Sequence, residues 1–178
     1  MADFSSFIEA IASPSLKRVA AHWNDARQGQ RMPAWSALRP SAIARELPIV
    51  WAYKYDSEKD EFVGRLAGER IVETFGKSFR GLRLSDAQPP EAFSWVFDRL
   101  KRVVTEPALY GYAGCVFKQL HRYGSGERIM LPLSTDGLVS DGVMGATEYQ
   151  LERRGRISLV RPVKEAERWL SLAASSTG

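Results

Sequence analysis

Between Leu109 and Leu151 the chain consists of three extended runs separated by two short glycine-bearing turns, and this pattern restricts the fold more than any other stretch. The first run, Leu109 to Tyr123, carries Tyr110, Tyr112, Val116, Phe117 and Leu120. Gly124-Ser125-Gly126 reads as its turn, Arg128 to Ser134 as the second strand, and Asp136-Gly137 as the next turn. Val143 to Leu151 is the third strand. Connections this short join only antiparallel neighbours, so the three form a meander. Pro132 lacks an N–H, so that side of its strand must face an edge or a bulge. Gly111 and Gly114 mark a bend or a close approach.

Two further strands precede the meander. Ile49 to Asp56 is rich in aromatic and β-branched residues, and Phe62 to Gly68 returns after the polar turn Ser57 to Asp60. Helical spacing fills the gap between this hairpin and the meander. Glu69 to Phe75 forms a short helix that Gly76 ends, since only glycine takes a positive φ without cost. Phe79-Arg80-Gly81 is a second tight point. A longer helix opens at Asp86 to Pro90 with an apolar stripe of Phe93, Val96, Phe97, Leu100, Val103 and Val104, and Pro107 follows it.

Both ends read as helical. Phe4, Phe7, Ile8 and Ile11 fall at i, i+3, i+4 and i+7, with Asp3 as a cap. Ser13-Pro14 then starts a second helix through Leu16, Val19, Ala20 and Trp23 that stops at Gly29. Ser41 caps a short helix from Ala42 to Glu46, ended by Pro48. Ile157 to Val160 reads as a further strand, and Val163, Ala166, Trp169, Leu170 and Ala173 place an apolar face on a final helix. The expected fold is α+β: a five-stranded antiparallel sheet with helices on one face, plus N- and C-terminal amphipathic helices. It divides into a helical extension (1–30), a central domain (31–151) and a C-terminal strand and helix (152–178). A sheet covered by short helices leaves room for a cavity between the layers.

Composition narrows the chemistry. Cys115 is the single cysteine, so no intramolecular disulfide forms, and His22 and His121 stand too far apart in sequence to suggest a metal site. The net charge is +4, but the charges are mixed. The nearest thing to a basic patch, Arg153-Arg154-Gly155-Arg156, reads as a solvated turn rather than a nucleic-acid contact. No apolar run approaches the roughly 18 residues of a membrane span, and the acidic start does not fit a signal peptide. A cytoplasmic protein without nucleic-acid or membrane partners is expected. No catalytic residue is assigned: Ser134 and Asp136 lie in a hairpin with no histidine placed to complete a triad. A small-molecule enzyme would need a buried, titratable residue deep in the cavity.

Several segments together resemble the PAS domain, in particular the small stand-alone PAS-like proteins of bacteria, chiefly alphaproteobacteria. They are Trp23 and Gly29 with Met32-Pro33, Arg39-Pro40, Phe62-Val63-Gly64-Arg65-Leu66-Ala67-Gly68, Gly76, Gly81, and Glu127 to Gly137 (ERIMLPLSTDG). The resemblance covers about Ala20 to Gln150. It departs at Trp35-Ser36-Ala37-Leu38, where a shorter, arginine-bearing link is expected. The resemblance implies a sensory or regulatory domain that binds a small molecule or a partner protein, often as a dimer. Flavin photochemistry of the family would need a reactive cysteine on the short helix, and ERIVETF has none. Haem would need a histidine on the longer helix, and Pro90 to Glu106 has none. No cofactor is therefore expected.

The residues expected around a ligand are Trp51, Tyr53, Phe62, Phe75 and Phe79, which serve equally as plain core, with Arg65 and Arg70 near the turn. Each arginine would bind a carboxylate or phosphate, or pair structurally with Glu69, Glu73 or Asp86. Phe4, Phe7, Ile8 and Ile11 form the expected homodimer interface, the alternative being that they pack on their own domain. With nearly all the length used by the fold, signals are expected to leave through contacts with a separate signalling protein.

Overall fold

Two short polar side chains set the start of the chain. Asp3 accepts from the backbone N–H of Ser6 at 2.8 Å and caps α1 (Phe4–Glu9). Ser13 accepts from Leu16 at 3.2 Å and caps α2 (Pro14–Ala26), which has proline in its first turn. A computed structural model describes residues 3–119, 122–153 and 165–172. After α2 the chain passes through three 3-10 turns to β1 (Val50–Asp56) and β2 (Glu61–Ala67). The helix expected over Ala42 to Glu46 is a 3-10 turn over Pro40–Ile43 instead. Next come α3 (Glu69–Phe75), closed by Gly76 at φ 72°, then α4 (Leu84–Ala87) and α5 (Pro90–Thr105). The long strands β3 (Ala108–Gln119), β4 (Arg122–Ser134) and β5 (Ser140–Arg153) follow, and β6 (Ala166–Ser171) ends the described chain.

The fold is α+β, as expected, but the sheet has six strands in the order β2-β1-β5-β4-β3-β6, with antiparallel neighbours throughout. The sixth strand occupies part of the segment expected as a helix. Ala166, Trp169 and Leu170 fit a helical stripe, but Trp169 and Leu170 also alternate across a strand. Paired to Ala108–Ala113 of β3, they bury against opposite faces of the sheet. As a strand the segment pairs the edge of β3, whose outward N–H and C=O groups a helix there would leave without sheet partners. Val163, Ala173 and the strand expected over Ile157 to Val160 lie outside the described residues.

A second difference concerns Gly124-Ser125-Gly126, which is strand and not turn. The pairing of β3 with β4 continues to Gln119 opposite Arg122. Gly126 is needed for space: a Cβ there would lie 2.0 Å from the Glu148 carbonyl oxygen. Pro132 lies in a central strand, yet β4 pairs with β3 only as far as Met130, before Pro132 is reached. The Pro132 carbonyl instead accepts from Trp23 Nε1 at 2.8 Å, so its missing N–H costs no ladder bond.

Helices cover both faces of the sheet rather than one. On one face, Phe7, Ile11, Leu16, Val19 and Trp23 pack against Leu109, Ile129, Leu131, Leu133 and Met144. On the other, Ile71, Leu84, Val96, Leu100 and Val103 pack against Trp51, Tyr53, Tyr110, Met130 and Val143. No helix among the described residues is long and apolar enough to cross a membrane.

Candidate functional site

Strand alternation decides which side chains meet under α3 and α5. In β1, Val50 and Ala52 turn toward α2, while Trp51 and Tyr53 turn toward the other helices. The Trp51 ring lies flat over Gly145, where a Cβ would stand 2.2 Å from its Cζ2. That position lets Trp51 Nε1 donate to Thr147 Oγ1 at 3.0 Å. Phe75 and Phe79 close the wall in an edge-to-face pair with centroids 5.0 Å apart, and Phe79 stacks on Tyr53 at 5.8 Å. Phe75 also meets Phe117 at 5.2 Å. The void these side chains enclose is about 20 Å³, room for roughly one water.

Two polar groups interrupt this apolar wall. The Tyr53 hydroxyl is buried and has no hydrogen-bond partner among the described residues. Burial pushes its pKa up; the neighbouring Gln88 side chain and the Arg128 charge oppose this only in part, and the phenol stays protonated at neutral pH. Arg128 enters from β4. Its Nε donates to Thr147 Oγ1 at 3.1 Å and its Nη2 to the Val116 carbonyl at 2.7 Å. Among the described residues no carboxylate pairs with it. Burial pushes its pKa below the ordinary value, and the neighbouring phenols of Tyr110, Tyr53 and Tyr112 partly offset this. Arg128 remains a cation. It also lines a wider groove of about 410 Å³ between α5 and β3, bordered by Trp95, Tyr112, Lys118, Glu91 and Glu165.

The expected ligand residues divide. Trp51, Tyr53, Phe75 and Phe79 share the inner void. Phe62 packs nearby against Tyr55 and Phe97 at 4.7 and 5.8 Å and borders a different hollow. Arg65 is exposed and borders a separate apolar groove with His22, Trp35 and Leu66, because its register turns it away from the void. Arg70 is held by Glu148 Oε1 at 3.1 Å and by the Tyr149 carbonyl at 3.0 Å, so its partner is neither Glu69, Glu73 nor Asp86. The Tyr149 hydroxyl donates to the Arg70 carbonyl at 2.8 Å and bonds to Thr74.

The face expected as a dimer interface is largely used within the chain. Phe7 and Ile11 are buried in their own core, and Phe4 stacks on Trp23 at 6.2 Å, with Ile8 packed beside them. Phe7 and Ile11 are therefore not available as a surface. His22 Nε2 accepts from the Arg39 N–H at 3.2 Å, and burial holds its pKa below the usual value. His121 lies outside the described residues. Among those described, no group of three or more His, Cys, Asp or Glu is placed to hold a metal ion.

A family model described as the PAS domain matches residues 11–147. The chain belongs to the PAS domain family. The match takes in α2, the 3-10 turns, α3 to α5 and nearly all of the wall around Arg128. Comparison with curated proteins and with solved structures gave no match. The family points to a sensory or regulatory role and is generally non-enzymatic.

Proposed function

We propose that this PAS domain is a non-enzymatic sensor that binds a small molecule between the sheet and the helices α3 to α5 and signals through protein contacts. The observation that carries the reading is Arg128, a cation set into an aromatic wall with no carboxylate beside it. A wall built only for stability gains nothing from such a group, since desolvating a charge costs several kcal/mol unless it is compensated. The unpartnered hydroxyl of Tyr53 adds to the same argument.

A route for the signal lies one residue away. Glu127 is buried on the opposite face of β4, where it accepts from the backbone of Ala12 at 3.0 Å and of Ser13 at 2.6 Å, at the joint between α1 and α2. It also accepts from Arg168 of β6 at 3.3 Å. A ligand that shifts Arg128 would shift the segment that anchors both terminal elements, and a partner protein would read the change there. Native mass spectrometry of the purified protein tests the binding. The expected result is added mass that is lost on denaturation and absent from an Arg128→Met variant. Added mass retained by that variant would place the ligand elsewhere.

A further inference from the structure

Three polar groups of the inner pocket, on Tyr53, Arg128 and Thr147, carry donors that meet no acceptor among the described residues. Thr147 Oγ1 accepts from Trp51 Nε1 at 3.0 Å and from Arg128 Nε at 3.1 Å, which uses both of its lone pairs. Its own proton meets no acceptor among the described residues. The Tyr53 hydroxyl likewise has none, although it is only 1% exposed. Arg128 has five N–H donors, and its hydrogen bonds leave Nη1 uncommitted. These three donors line one pocket whose local charge is positive; Gln88, beside Tyr53, and the mutually bonded Thr74 and Tyr149 are its other polar groups, and the rest of the wall is apolar. We propose that the pocket takes a small monocarboxylate with an aromatic or branched apolar body. The carboxylate would sit on Arg128 Nη1 and the Tyr53 hydroxyl, and the body against Phe75, Phe117 and Val96. This inference rests on the reading of the pocket as a ligand site.

The single charge follows from the surroundings. One guanidinium and neutral hydroxyls balance one negative charge. A dianion would pass Glu91 and Glu165 on the rim of the outer groove, with only Lys118 to offset them. The size follows from the two spaces. The inner void holds about one water, room for one carboxylate oxygen, while the 410 Å³ groove shares Arg128, Phe75, Val96, Val116 and Phe117 with it and accommodates the rest of the head group and the body.

The test is an NMR titration of the ¹⁵N-labelled full chain with phenylacetate and 3-methylbutanoate, their neutral amides, and inorganic phosphate. The expected result is saturable shifts at the Arg128 Nε–H and at the Val116 and Thr147 amides, with each amide binding at least about tenfold more weakly than its acid, as loss of a charge-assisted hydrogen bond requires. Arg128→Gln should abolish the difference between acid and amide. Tyr53→Phe should weaken acid binding several-fold without lowering the thermal midpoint, because it removes no hydrogen bond within the protein. Acid and amide binding alike, or phosphate displacing the acids, would overturn the monocarboxylate while leaving the pocket a ligand site. Unchanged acid binding in Tyr53→Phe would remove that hydroxyl from the site. No shift at these residues with any probe, charged or neutral, would overturn the monocarboxylate, and the reading as a ligand site would then be decided by the native mass spectrum and its Arg128→Met control.

Discussion

Gly145 shows how one missing side chain shapes the pocket. The Trp51 ring occupies the space a Cβ would take, and its indole N–H reaches Thr147 only from there. Gly145→Ala should displace the ring, break that bond and cost about 1–3 kcal/mol, the usual penalty for overpacking a core. Urea unfolding measures the loss, and a changed tryptophan emission marks the displaced ring. Asp136 is a second residue with a defined signature. Its carboxylate accepts from the N–H groups of Val139 and Leu138 and from the Ser134 hydroxyl, which hold its pKa at about 2 against an ordinary 3.8. A depressed folded pKa stabilises the turn fully above pH 3.8, and that contribution is lost as pH falls through about 2. Amide exchange at Leu138 and Val139 should accelerate over that window, and Asp136→Asn should remove the pH dependence.

Among the elements, β4 links what the chain keeps apart in sequence. Arg128 faces the pocket and Glu127 faces the helix joint, so consecutive residues serve opposite sides of the sheet. Glu127→Gln keeps the shape but turns one acceptor oxygen into a donor facing N–H groups. It should cost roughly 1.5–3 kcal/mol, the range for hydrogen bonds to a charged group, and should raise amide exchange at Ala12 and Ser13. Unchanged exchange there would remove Glu127 as the anchor of the N-terminal helices. The role of Arg128 was hard to see in the sequence for a related reason. In a sheet with one wet face, an arginine at period 2 reads as outward. Here Ile129, Leu131 and Leu133 bury against one helical layer and Met130 against the other, so alternation alone does not mark a solvent side. The hairpin, the long helix and the Asp136 turn were legible because caps, prolines and turn glycines act locally. The sixth strand was not, because the stripe of Ala166, Trp169 and Leu170 suits either period and the free edge of β3 decided between them.

At the scale of the whole molecule, one sheet carries two cores, and the N-terminal helices complete one of them. Phe7 is 4% and Ile11 1% exposed, both within the same chain. A variant that starts at Ser13 removes these two side chains and uncovers the face formed by Leu109, Ile129 and Leu131. Each large side chain lost from a core costs about 2–5 kcal/mol, so the variant should lose at least about 4 kcal/mol in urea unfolding and bind a hydrophobic dye. Ligand contacts on the far face would be affected only through Glu127, which loses its bonds to Ala12 but keeps that to Arg168. The loss should be the same at low and high protein concentration, because the packing is within one chain. A loss that shrinks on dilution, because the full-length protein itself becomes less stable, would instead mean that α1 gains its stability from a second copy.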